Sequence, residues 1–181
     1  MKPRRLAIPL MVSLMVPLLA LLLSACDPHY NWRDYRSKDA PYSVLFPGKP
    51  ATHTREVLLA ELPVELPVKM TMTAAEVDGV LFAVGSAELA DAAQAQGALL
   101  AMQTALARNI NATITSQATA ASGVQTTVSI EAKGMRNGQP ALLMGRFIAR
   151  DRRVYQVVVM GDQRHISREQ VATFLDSFKL Q

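Results

Sequence analysis

Val68-Lys69-Met70-Thr71-Met72-Thr73-Ala74, then Asp78-Gly79, then Val80-Leu81-Phe82-Ala83-Val84-Gly85-Ser86, is the stretch that decides how this chain folds. In the first run the apolar Val68, Met70, Met72 and Ala74 alternate strictly with Lys69, Thr71 and Thr73. Successive strand side chains point to opposite faces, so a period of two gathers these four on one surface. Asp-Gly accepts the positive φ values that a two-residue hairpin turn demands. The second run returns with Val80, Phe82 and Val84 on a common face. A tight hairpin forces its strands antiparallel.

Working outward, Tyr42-Ser43-Val44-Leu45-Phe46 reads as a short strand stopped by Pro47-Gly48-Lys49-Pro50, and residues 55–61 as a second strand before Pro63. On the other side, Leu99, Met102, Leu106 and Ile110 recur at helical spacing, which predicts a helix over residues 91–110 with Asp91 in the first turn. Ile114 starts a short strand before the small-residue stretch 118–123. Val124, Thr126, Val128 and Ile130 then share one strand face. After the turn at Arg136-Asn137-Gly138, residues 141–149 and 154–160 are apolar on both faces, as central strands are. Ser167-Arg168-Glu169-Gln170 has the pattern of a capping box opening a last helix through Val171, Phe174 and Leu175. Strands linked by hairpins, with two helices to cover them, predict an α+β fold: a single antiparallel β-sheet packed against helices.

The chain has 181 residues, of which 50% are hydrophobic and 19% charged. That balance excludes a disordered tail, a collagen-like repeat and a long coiled coil. The net charge of +4 comes mostly from the first 25 residues. Three of the 19 basic residues, Lys2, Arg4 and Arg5, lie there with no acidic partner, and the other basic residues balance the 15 acidic ones to within one charge. Charge therefore gives no argument for nucleic acid as a partner.

Those first residues form a leader. A basic Lys2-Pro3-Arg4-Arg5 precedes residues 6–23, which are almost wholly apolar. As a helix that run would extend about 27 Å, so an uncleaved membrane anchor is one reading of it. The run ends in Leu23-Ser24-Ala25-Cys26, which resembles the lipobox of bacterial lipoproteins. The resemblance implies cleavage before Cys26, the only cysteine, and acylation of its thiol and amine. Two or more acyl chains give lasting attachment to a membrane lipid surface. The basic flank stays in the cytoplasm, so the rest lies outside it. Asp27 resembles the signal that retains a lipoprotein at the inner membrane, facing the periplasm. The expected organisation is a signal peptide over 1–25, an acylated terminus and tether over 26–41, and one globular domain over 42–181. Within the tether, Tyr30, Trp32 and Tyr35 interleave with Arg33 and Arg36. The expectation is that these rings pack on the domain's flank; the alternative seats them among lipid headgroups.

Residues with chemical potential are few. No two of His29, His53 and His165 lie at metal-ligand spacing, so no metal site is expected. No G-x-S-x-G elbow, G-x-G-x-x-G loop or P-loop is present, so no catalytic residue and no cofactor-binding residue is assigned. Arg146, Arg150, Arg152 and Arg153, with Arg164 and Arg168 beyond, form a basic cluster in sequence, read as charge that keeps hairpin tips soluble. Met70, Met72, Met102, Met135, Met144 and Met160 fall mostly at core positions.

Tyr42-Ser43-Val44-Leu45-Phe46-Pro47-Gly48-Lys49-Pro50 resembles the opening strand and turn of PsbP-like and DcrB-like domains. Gly145-Arg146-Phe147 with residues 153–161 is similar to their late hairpin, and Phe174-Leu175-Asp176-Ser177-Phe178-Lys179-Leu180 to their closing segment. The resemblance implies a non-enzymatic accessory module: a membrane-anchored envelope lipoprotein that holds an envelope protein partner. The alternative is a lipoprotein that binds a small ligand in a crevice between sheet and helix.

Overall fold

In the computed structural model, residues 29–58 and 67–181 are described. The leader, Cys26 and Asp27 lie outside them. The hairpin at Asp78-Gly79 joins β4 (Pro67–Val77) to β5 (Val80–Glu88), with Val77 opposite Val80. Asp78 and Gly79 adopt φ of 52° and 73°, the left-handed pair such a turn requires. Val68 and Met70 pack on one side of the sheet, whereas Val80, Phe82 and Val84 pack on the other. β5 is therefore buried on both faces.

Around this hairpin a seven-stranded antiparallel sheet forms in the order β3-β4-β5-β9-β8-β7-β6. β3 is Ala51–Leu58, β6 Thr113–Ser122, β7 Gln125–Arg136, β8 Gln139–Arg150 and β9 Arg153–Asp162. Helix α1 (Ala95–Asn109) lies on one face, where Leu99, Met102 and Ile110 meet Met70, Leu143 and Phe147. The opposite face carries α2 (Arg168–Ser177) together with a separate three-stranded sheet. That small sheet has the order β1-β2-β10, with β1 Arg33–Arg36, β2 Tyr42–Phe46 and β10 Lys179–Leu180.

The expected single sheet packed against helices is thus corrected. The described residues are mostly β, in sheets of three and seven strands. The physical reason lies in β2. Its Tyr42, Val44 and Phe46 all point inward onto Phe82, Tyr155 and Val157, and the Pro47–Pro50 turn then carries the chain out of that layer into β3. β2 consequently cannot join the sheet that β3 begins. Its own partners, four and two residues long, are too short to show a period in the sequence.

Smaller differences follow from local chemistry. The second strand spans Ala51–Leu58 instead of 55–61, of which 59–61 fall outside the described residues. The stretch 118–123 is mostly strand: β6 runs ten residues through it. Val124 sits in the β6–β7 turn after Gly123, whose φ is 57°, and not on the strand face. Ser167 occupies the N-cap position of α2 but its side chain makes no capping bond. The capping box forms instead at Asp91, which accepts from Ala93 N–H while Gln94 reaches back to the Asp91 N–H, opening a 3₁₀ turn that leads into α1.

Candidate functional site

Residues 29–36 are seated on the domain. Tyr30 and Trp32 stack with centroids 6.0 Å apart, and each meets Phe82 edge-on at 6.2 Å. Tyr35, on β1, packs edge-on against Phe46 at 5.6 Å. The flank-packing expectation for these rings holds, and it has a cause: Phe82 on the central strand presents a ring face that an open sheet would leave wet. Burial, with the nearby Asp78 carboxylate second, raises the Tyr30 phenol above its ordinary pKa. His29 contacts the Asp78 carboxylate, and the ring Nδ1 of His165 lies 3.2 Å from the Asp78 carbonyl oxygen. Both histidines therefore bracket the β4–β5 turn, at the end of the sheet where the chain enters.

At the opposite end, two clefts of 280 and 270 Å³ flank Glu88 and Arg153. Glu88 ends β5 and accepts from two arginines, Arg152 Nη2 at 2.7 Å and Arg153 Nη2 at 2.6 Å. These arginines belong to the β8–β9 hairpin tip, which pairs Arg150 with Arg153. The first cleft is lined further by Arg150, Tyr155 and Leu180, the second by Asp39, Lys69, Thr71 and Ser86. Tyr155 is 1% exposed, and burial raises its phenol pKa. The cleft pair offers cationic donors, carboxylate acceptors and hydroxyls, suited to a small polar molecule.

Beside the second cleft is a hydroxyl ladder that the sequence analysis did not single out. Thr52 and Thr73 lie opposite across β3 and β4 with oxygens 3.0 Å apart, and Thr54 and Thr71 repeat the contact at 3.0 Å. Tyr42 donates to Thr73 at 3.5 Å. The signal was present as threonines two apart in both strands of one hairpin, a spacing that places them on a shared face.

The basic cluster assembles only in part: Arg150, Arg152 and Arg153 meet at the first cleft, and the others disperse. Arg146 pairs with Asp176, Arg152 and Arg153 with Glu88, Arg164 with Asp162, and Arg168 with Glu131. Hydrogen bonds from the Arg164 side chain and backbone hold the Asp162 carboxyl well below the usual carboxylate range. Of the methionines, Met70, Met102 and Met160 are buried, while Met135 is 49% exposed. His53 lies on the exposed edge strand β3. Among the described residues, no three of His, Cys, Asp and Glu group as metal ligands. No helix among them is long and apolar enough to cross a membrane.

No protein-family profile matches the chain, and no curated protein matches it. Solved structures do. One is the solution structure of the cyanobacterial PsbP protein CyanoP from Synechocystis sp. PCC 6803, at 12% identity and a TM-score of 0.48, covering 88% of this chain and 99% of that one. Another is PA94 from Pseudomonas aeruginosa, described as a candidate regulator of unknown function, at 15% identity and a TM-score of 0.38, covering 78% and 90%.

Proposed function

We propose that this chain is an envelope lipoprotein, anchored through acylated Cys26 on the periplasmic face of the inner membrane, whose PsbP-like domain is a non-enzymatic accessory module for an envelope protein partner. The observation that carries the reading is the seating of Tyr30 and Trp32 on Phe82, four and six residues after the lipobox cysteine, with His29, three residues after it, in contact with Asp78. Three residues of chain reach at most about 11 Å. An acylated Cys26 would accordingly hold the Asp78 end of the domain close to the lipid surface. Anchoring both partners in one plane raises their effective concentration, so modest affinity suffices.

The test is membrane fractionation of the full-length protein beside Cys26→Ser. The expected result is an intact mass carrying acyl chains for the first and release to the soluble envelope fraction for the second. Retention of Cys26→Ser in the membrane at the same level overturns the reading in favour of an uncleaved leader. The clefts about Glu88 favour a second reading, a lipoprotein that binds a small polar ligand there.

A further inference from the structure

We infer that β6 is a self-association edge: two copies of this chain join β6 to β6, antiparallel, and their seven-stranded sheets run on as one. An open sheet has two edges, here β3 and β6. Unpaired strand edges are templates for another strand, and natural proteins blunt them with charge. β3 is blunted by His53, Arg55 and Glu56, all exposed. β6 is exposed along all ten residues and carries no charge; the chain holds no charged side chain between Arg108 and Glu131. A bulge between Ile114 and Ser116 leaves Ser116 to Ser122 as an uninterrupted ladder facing outward.

A second copy is the occupant this edge fits. In a two-fold pairing each residue meets a residue of the same strand, so any charge on it would face a like charge in some register. Along Ser116 to Ser122 every such contact is between Ala, Ser, Thr and Gln. A charged partner strand would find nothing to pair with. Three of the exposed large apolar side chains border the same edge: Ile114 at 36%, Val124 at 69% and Leu100 at 55%. Leu100 lies one helical turn beyond Gln96, whose side-chain amide donates to Thr126 on β7 at 3.5 Å, which places it over these outer strands. The two-fold would repeat this apolar margin on both sides of the seam. Because β3 is charged, association stops at two.

Sheet twist makes the arrangement compatible with one membrane, a point that rests on the lipid-anchor reading. Four steps separate β5 from β6, and at about 20–25° each they turn β6 roughly 80–100° from β5. With the Asp78 end of β5 toward the lipid, β6 runs along the membrane plane. The two-fold axis is then the membrane normal, and both anchors fall on the same side.

The test is native mass spectrometry of the full-length protein released from detergent, with sedimentation across a dilution series. The unmodified chain is expected as a dimer. Ala118→Lys and Thr119→Lys, at exposed positions that leave the far-UV circular dichroism unchanged, are expected to weaken the dimer at least about tenfold by juxtaposing like charges. His53→Lys on the other edge leaves it intact. A monomer at all concentrations, a dimer indifferent to the lysines, or a mixed complex in its place overturns the inference. The same masses count acyl chains, so an unacylated dimer refutes the anchor alone and an acylated monomer refutes the edge alone.

Discussion

Arg146 on β8 ties down the end of α2: its Nη2 lies 2.5 Å from Asp176 Oδ1, while Nη1 donates to the Leu175 carbonyl at 2.9 Å. The two bonds are unequal in worth. Asp176 is 64% exposed, and an exposed ion pair contributes about 0–1 kcal/mol. The Leu175 carbonyl is one of the last in its helix, part-buried, and otherwise left without an intrahelical donor. Removing Arg146 therefore strands an acceptor, whereas removing Asp176 strands little. Urea denaturation should show Arg146→Ala losing about 1–2 kcal/mol and Asp176→Ala less than about 1 kcal/mol. Equal losses would mean that the ion pair, and not the carbonyl, is what matters.

The segment from residue 29 to residue 36 is part of the folded structure. β1 pairs with β2 over four residues, and Trp32 meets Phe82. Trp32→Ala should cost about 1–3 kcal/mol, and deletion of residues 29–36 more. Since Trp32 is the only tryptophan, its emission reports its surroundings directly. On vesicles carrying brominated lipid it should remain unquenched; strong quenching would place the ring among the headgroups.

Gly134 is fixed by a close approach. A Cβ there would stand 2.2 Å from the Ile110 carbonyl oxygen and 2.7 Å from the Ala112 Cα, both backbone. The Met135 N–H bond to that same carbonyl, 2.7 Å long, holds the two segments together. Gly134→Ala should destabilise the fold by about 3 kcal/mol, the upper end of ordinary overpacking, since neither neighbour can rotate away. A loss below 1 kcal/mol by thermal denaturation would show that the loop after α1 yields.

Burial raises the phenols of Tyr42 and Tyr155, and less deeply that of Tyr30. A group whose folded pKa is raised gives full stability below its unfolded pKa and loses it as pH rises through the folded one. The domain should therefore weaken progressively above about pH 10. Tyr155→Phe should flatten that decline, followed by phenolate absorbance. On the acid side the depressed Asp162 acts in the opposite sense. Its contribution is present above its unfolded pKa of about 3.9 and is lost as pH falls through its lower folded value, and Asp162→Asn should remove that part of the acid profile.

The hairpins were legible because each carries its own signal: alternation on both arms and a dipeptide that accepts positive φ. Asp78-Gly79 and Asn137-Gly138 both turn where the residues say. What escaped was order imposed by partners. β6 is spelled largely in Ala, Ser and Thr, half of which prefer no strand, and it is extended because β7 lies beside it through nine paired positions. β1 and β10 are strands only by virtue of β2. The capping box was sought at Ser167, whose neighbours match the pattern, yet Asp91 makes it, since a pattern of four residues does not say which backbone amides are left without partners. The arginines were near one another in sequence, but only Arg152 and Arg153 share a carboxylate, Glu88; Arg146, Arg164 and Arg168 each go to a different one. The hydroxyl ladder and the Glu88 clefts join β3, β4, β5 and β9, and no local spacing reports such a meeting.

β2 lies between β1 and β10, the first and last strands among the described residues, with Arg33 opposite Phe46 and Leu180 opposite Tyr42. Both are antiparallel to β2, so they run the same way, and tension applied between the two ends pulls them in opposite senses along their axes. The bonds to β2 are then loaded together, in shear, instead of being peeled one at a time. A domain tethered at one end and drawn upon at the other should yield at high force in a single step, with the small sheet acting as its mechanical clasp.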